Sequence, residues 1–313
     1  MRSSQTCKLL SSSTHTLSIC IASYGDDVSS LLKELEHCAE GKLPKNWSIE
    51  VIISDQHPEK HPMSSQWEAM ANCRYIQTKT QGRSANRNGL SQLASGAFLL
   101  FLDADALPSS ADFLSNYCNE AEGADVVVGG TAYRPGYKSK ELRVKVGKRK
   151  EEIQAATRKL QPYSSFTAFN FLIRKTLFDQ IQFSEQLVQY GHEDTLFGLE
   201  LKYRHAKIAH IDNPAFHMGI DSGADFMDKT TAAVDGLANL IAAGKIDEDV
   251  KLFKAYRSVQ KSGFQWAFKA AHMLIGKPLK SGLANGFLPI FFFDVYKLLR
   301  LCSHSIKIGR RMP

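Results

Sequence analysis

The chain has 313 residues, 43% of them apolar and 23% charged, and a formal net charge of +7. This length can bury a sizeable core as one large domain, or one with an appendage, and the composition excludes wholesale disorder, collagen and coiled coil. The charge is uneven: residues 251–313 hold twelve Lys/Arg and one acid, Asp294, for a net of +11, which leaves −4 on residues 1–250 and argues against a nucleic-acid-binding fold.

In chain order, residues 1–16 are polar and rich in Ser and Thr, without an apolar stretch typical of a signal peptide. They are expected to form a disordered leader. Leu17 to Ala22 (LSICIA) reads as a buried parallel strand. It ends at the turn Ser23-Tyr24-Gly25-Asp26, before a predicted helix over Val28–Ala39. Glu50 to Ser54 (EVIIS) is a second buried strand ending at Asp55, and Arg74 to Gln77 a short third. Arg83 to Ser95 predicts a helix, with Ala85, Leu90, Leu93 and Ala94 on one side. Ala97 to Leu102 (AFLLFL) is the next buried strand and runs into Asp103-Ala104-Asp105. A helix over Asp112–Ala121 and a strand over Asp125–Gly129 follow. This alternation predicts an α/β sandwich around a mostly parallel sheet, with its ligand crevice beyond the C-terminal strand ends. Ser23, Asp55 and Asp103 all stand at such ends.

Residues 138–159 carry nine Lys/Arg and three Glu and are expected to be helical or a mobile loop. Phe166 to Ile173 predicts a strand, Thr195 to Tyr203 a helix, and Lys207 to Ile211 a short strand. From Asp225 onward the pattern is helical. The expected organisation is an α/β domain over 17–235 and a basic helical extension over 236–313. No apolar run reaches the ~18 residues of a membrane span. The six cysteines (Cys7, Cys20, Cys38, Cys73, Cys118 and Cys302) form no C-x-x-C pair, which suits reduced thiols in the cytoplasm.

Four motifs carry chemistry. In Asp103-Ala104-Asp105, one carboxylate can accept a sugar hydroxyl and the other can hold a hard divalent cation shared with diphosphate oxygens. Alone the pattern also fits a solvated turn; its place after AFLLFL favours the site. Gly82-Arg83-Ser84-Ala85-Asn86-Arg87-Asn88 sets Arg87 at the sheet's mouth, where a guanidinium suits phosphate. Gly191-His192-Glu193-Asp194 offers a general base, although acids also favour helix N-termini. Asp212-Asn213-Pro214-Ala215-Phe216-His217 offers a His ligand, with His192, His205 and His210 as competitors.

In this order the elements resemble the family 2 glycosyltransferases of the GT-A fold. The matching stretches are SICIASYG, EVIISDQHP, GRSANRNGLSQLASGAFLLFLDADALP, FTAFNFLIRKTLF, YGHEDTLFGLELKYR and HIDNPAFHMG. The resemblance implies a Rossmann-like nucleotide-sugar-binding sandwich and a metal-dependent, inverting sugar transfer. It implies that Ala22, Ser23 and Tyr24 line the nucleotide and that Asp55 hydrogen-bonds the base, uracil being expected. Arg87 would approach the base, ribose or diphosphate. Asp103 would face the ribose or donor sugar, with Ala104 beside it. Asp105 would ligate Mn²⁺ or Mg²⁺, and His217 would complete the metal site. Asp194 would be the base, Glu193 would orient the acceptor, and Asn170 would line the acceptor pocket. The sequence departs from the family where Ser-Tyr-Gly replaces the usual Thr-Tyr-Asn, and where Gln56-His57 follows Asp55 in place of Gly-Ser.

The implied partners are a UDP-sugar and a glycan or lipid-linked acceptor, with the chain cytoplasmic or peripheral at the inner face of the membrane. An anionic membrane surface would meet Phe287, Leu288, Ile290, Phe291, Phe292, Phe293 and Val295, with Lys297, Arg300, Lys307, Arg310 and Arg311 at the headgroups. A helix packed on its own domain or a second subunit fits the same residues. A sugar-nucleotide pyrophosphorylase would carry a Gly-rich phosphate loop near the first strand, and SYGDDVSS is not one. A non-catalytic nucleotide-sugar-binding protein on the same fold is the other rival.

Overall fold

The computed structural model describes residues 15–40, 43–60, 72–79, 82–186, 191–246 and 248–306. The predicted leader over 1–16 lies almost wholly outside these residues, as do Cys7, Lys307, Arg310 and Arg311.

Strands β1 (His15–Ser23), β2 (Trp47–Asp55), β3 (Cys73–Gln77) and β4 (Phe98–Asp103) form the parallel half of a seven-stranded sheet. Beyond β4 come β8 (Asn170–Arg174), β6 (Val126–Val128) and β9 (Ile208–His210), giving the order β3-β2-β1-β4-β8-β6-β9. β8 runs antiparallel to both neighbours, and the other neighbouring pairs are parallel.

The central strands are apolar on both faces because both faces are covered. Leu17, Ile19 and Ile21 of β1 point into one core with α1 (Ser29–Ala39) and α3 (Phe113–Glu120). Cys20, Ile52, Leu99 and Phe101 point the other way. They meet Leu90 of α2 (Arg83–Leu93), Phe178 of α6 (Lys175–Ile181) and Phe197 of α7 (Glu193–Tyr203). The expected strand over 166–173 begins only at Asn170; the residues before it turn inward and supply a backbone donor to the cleft.

A second, three-stranded sheet was not legible in the sequence. It pairs β5 (Ala106–Pro108) antiparallel with β10 (Ala215–His217), and β10 parallel with β7 (Thr131–Ala132). Strands of two or three residues carry no usable alternation. The basic segment 138–159 forms α4 (Leu142–Lys150) and α5 (Ala155–Arg158).

Helices α8 (Gly223–Ala242), α9 (Lys251–Lys261), α10 (Gln265–Ala284) and α11 (Phe291–Ser303) make the helical C-terminal region. Asp235, at the expected domain boundary, lies inside α8, where Arg300 holds it through two 2.7 Å bonds and His304 through a third at 2.8 Å. Most of the aromatic run expected to meet lipid is packed on this region. Phe293 is buried and stacks on Phe226 at 5.6 Å, and Leu288, Ile290, Phe292 and Val295 cover the same core. Lys150 of α4 pairs with Asp294, and Leu142 and Val146 share the core of α10 and α11.

Candidate active site

The C-terminal ends of β1 and β2 form the first wall. Asp55 is fully buried and its carboxylate accepts three hydrogen bonds, from Gly25 N (2.7 Å), His57 N (3.0 Å) and the Tyr75 hydroxyl (2.9 Å). Gly25 can take its φ of 71° because it lacks a Cβ, so the Ser-Tyr-Gly turn is tied to Asp55 from below. Ser23 is buried and accepts from Asp26 N, whereas Tyr24 is exposed at the mouth, edge-on to His57 at 4.0 Å. No Gly is needed after Asp55, because Gln56 is not among the residues with positive φ.

Arg87 projects from α2 under the end of β4. It is buried, donates to Asp103 Oδ1 at 2.5 Å, and lies over the Phe183 ring at 5.3 Å. Its Nη1 is buried without a hydrogen-bond partner. The guanidinium therefore keeps unpaired N–H groups beneath the cleft and a fixed positive charge beside Asp103.

Asp105 and His217 are brought together by β5 and β10, whose register sets Ala106 opposite His217. His217 Nε2 stands 3.1 Å from Asp105 Oδ2. Burial raises the Asp105 pKa, but the hydrogen bond and charge of His217 and the charge of Arg83 outweigh it and leave the carboxyl below its ordinary range. Behind the ring, Arg143 Nη2 lies 3.0 Å and the Tyr133 hydroxyl 3.3 Å from Nδ1. Arg143 also makes two 2.9 Å bonds to Glu151. Because a guanidinium only donates, Nδ1 is the acceptor and the neutral ring's proton sits on Nε2, toward Asp105.

The competing histidines are used elsewhere. His210 is buried against Arg158 and the Pro162 carbonyl, and His192 bonds the Ala233 carbonyl at 2.8 Å.

Gly191 (φ 99°) and His192 (φ 72°) are both left-handed, and this double turn aims the N-terminus of α7 into the cleft. Asp194 Oδ2 accepts from Ala168 N at 3.1 Å. Burial and the charge of Glu193 raise its pKa to about 7, against the lowering effects of Arg87 and the Ala168 amide.

Arg87, Asp103, Asp105, Glu193, Asp194 and His217 line one cavity of about 610 Å³. Ala22, Ser23, Tyr24 and Asp55 stand at the neighbouring strand ends, outside this lining among the described residues. Asn170 is a correction. It is fully buried, its Oδ1 accepts from the Tyr117 hydroxyl at 2.5 Å, and its Nδ2 donates to Gly130 O and Asn213 O. Both polar atoms of the amide are used inside the protein, tying β8 to α3 and to the chain beside β7 and β10, so it offers nothing to an acceptor. Arg143, Glu151 and Tyr133 behind His217 were missed. Two of them lay in the charged 138–159 segment, where the only visible signal was charge.

This α/β sandwich, with its acidic cleft beyond the C-terminal strand ends, is of the GT-A type. The glycosyl transferase family 2 profile matches residues 18–182, more than half of the chain. The chain therefore belongs to glycosyl transferase family 2 and is a glycosyltransferase.

Solved structures share the fold. The mannosyltransferase PcManGT from Pyrobaculum calidifontis, in complex with GDP-Man and Mn²⁺, is 16% identical with a TM-score of 0.55, covering 92% of this chain and 85% of that one. S. aureus TarS 1–349 is 17% identical with a TM-score of 0.50, covering 92% and 90%. Its complex with UDP-GlcNAc is 18% identical, with a TM-score of 0.51 at the same coverage. No curated protein sequence matches the chain.

Proposed function

We propose that the chain transfers a sugar from a UDP-sugar to a hydroxyl of a glycan or lipid-linked acceptor, with inversion at the anomeric carbon. The observation that carries this reading is the convergence of Asp103, Asp105, His217 and Asp194 on one 610 Å³ cavity. Likeness to TarS, which binds UDP-GlcNAc, and to PcManGT, which binds GDP-Man, supports a nucleotide-sugar donor, and the thermal-shift series below decides the base.

Asp105 and His217 are the side chains that would hold Mn²⁺ or Mg²⁺. They face each other at 3.1 Å, and an ion there would take the place of the proton that His217 Nε2 directs at Asp105. Among the described residues no group of three or more His, Cys, Asp or Glu could hold an ion. Two protein ligands leave positions for diphosphate oxygens and water, as hard cations prefer. When bound, the ion would offset the charge that grows on the departing diphosphate.

Arg87 adds fixed positive charge beside Asp103 at the donor's side of the cleft. Ala22, Ser23, Tyr24 and Ala104 take the nucleotide side. Asp55 acts there by holding the Gly25 and His57 amides under the base. Asp194 removes the acceptor proton as that oxygen attacks, and a pKa near 7 lets one carboxylate be both ionised and basic at neutral pH. Glu193 orients the acceptor. The free cysteines among the described residues suit the cytoplasm, and among them no helix is long and apolar enough to cross a membrane.

Thermal-shift measurements with UDP, GDP, CDP and dTDP, each with and without Mn²⁺, test the donor. The expected result is a Mn²⁺-dependent rise in Tm with UDP alone. A rise with GDP instead would overturn the base assignment, and no rise with any of the four would overturn the donor reading.

A further inference from the structure

We infer that the outer face of α10, with the turn that follows it, docks on an anionic phospholipid bilayer. This inference does not rest on the donor or acceptor reading. The inner face of α10 is built into the protein: Gly276, Leu279 and Leu283 are buried, and Leu279 and Leu283 share a core with Phe293 and Tyr296. The outer face is apolar where solvent would favour polar side chains. Trp266 is 71% exposed, Met273 77% and Leu274 78%, and these positions recur on one side of the helix at a spacing of seven or eight residues. The turn after the helix adds Phe287, 83% exposed, and the first residue of α11 adds Phe291. Single exposed apolar residues need no explanation, but a stripe of this size on a preformed helix does.

Charge selects the occupant. Residues 251–293 hold seven Lys/Arg and no acid. Lys269 and Lys277 are exposed on α10 itself. Lys280 is already answered by Asp228 of α8. An anionic bilayer satisfies both features, since its headgroups meet the lysines while Trp, Met and Leu enter the acyl boundary. A second copy seated here would set Lys269 and Lys277 against an equally basic face with no acid to oppose them. Among the described residues no helix qualifies as a membrane span, so α10 lies on a bilayer rather than through it. The lipid-facing set is thus Trp266, Met273, Leu274, Phe287 and Phe291, of which only the last two belong to the aromatic run that the sequence suggested.

Flotation of the full chain with phosphatidylcholine vesicles, with and without phosphatidylglycerol, tests this. The chain should float with the phosphatidylglycerol vesicles, far less with phosphatidylcholine alone, and be released by salt. Trp266→Ser combined with Leu274→Ser should lower partitioning about tenfold or more. Lys269→Glu combined with Lys277→Glu should lower it about twentyfold or more, at roughly fivefold per lysine. Neither pair touches the cleft, so both variants should keep the wild-type Tm, which shows that they fold. Absence of flotation, or folded variants that float like wild type, overturns the inference. So does a dimer, seen by light scattering, that the serine pair dissolves, because the face would then be covered by a second copy.

Discussion

His217 Nε2 and Asp105 Oδ2 face each other at 3.1 Å because β10 and β5 pair with Ala106 opposite His217. Neither residue could reach the other without this small second sheet. Asp105→Ala and His217→Ala should each lower Mn²⁺-dependent affinity for UDP by more than about a hundredfold, beyond the roughly 10–100-fold of losing only a supporting contact. The double variant should be little worse than either single one, because both remove the same site. Titration calorimetry with Mn²⁺, repeated with EDTA, reads this directly. Unchanged affinity in either single variant removes that residue from the metal site.

Asp194 should show its role in two pH profiles. With a pKa near 7, kcat/KM should rise with pH through about 7 as the base ionises. Asp194→Asn should lower turnover about a thousandfold while sparing donor binding. Stability runs the opposite way. Between the ordinary carboxylate value of 3.8 and about 7, the native state keeps a proton that the unfolded chain has lost. The stability this confers is full below the unfolded value and falls as pH rises through the folded one. Asp194→Asn should therefore gain more Tm over wild type at about pH 8.5 than at about pH 5. An equal difference at both would mean that Asp194 is not held protonated by the fold.

The parts of this molecule that were legible in the sequence are those whose environment is uniform. β1, β2 and β4 are covered on both faces and read as continuous apolar runs, and the acids at their ends follow from the strand boundaries. β5, β7 and β10 are too short to show a period, so the contact that joins Asp105 to His217 was visible only through family resemblance. Side-chain roles at strand ends were the least legible. Asn170 and Asp103 both flank buried strands, yet one is consumed by Tyr117, Gly130 and Asn213 while the other opens to the cleft. Arg158 shows the same limit. It belongs to a charge run but is buried, donating to the carbonyls of Val128, Gly129, Ile153 and Ile211.

Arg87 couples stability to catalysis. Its side chain is 4% exposed and paired with Asp103, so Arg87→Ala should destabilise the fold by about 3 kcal/mol or more by leaving that carboxylate unpaired. The same guanidinium lowers the Asp194 pKa, so its loss should move the midpoint of kcat/KM above about 7. Arg87→Lys should move it less, because an ammonium keeps the charge but not the fork. Urea unfolding and a pH–rate profile on each variant separate the two effects. A stability change within about 0.5 kcal/mol, together with an unmoved midpoint, would show that the pair is peripheral.

Gly219 provides a steric test of the metal position that leaves both ligands in place. A Cβ there would lie 2.0 Å from Asp105 Oδ2 and 2.9 Å from its Cγ, closer than any real contact. The atom displaced is the tip of a short side chain, so the carboxylate must swing away from His217 rather than the backbone move. Gly219→Ala should then lower Mn²⁺-dependent UDP binding about tenfold or more, as a misplaced supporting group does, with Asp105 and His217 still present. Its Tm without ligand should change little, because the 3.1 Å contact it breaks is a partly exposed pair, worth about 1 kcal/mol or less. Because Asp105→Ala also loses the charge, only Gly219→Ala isolates geometry. Wild-type affinity in this variant would mean that the Asp105 carboxylate binds its ligands from another rotamer.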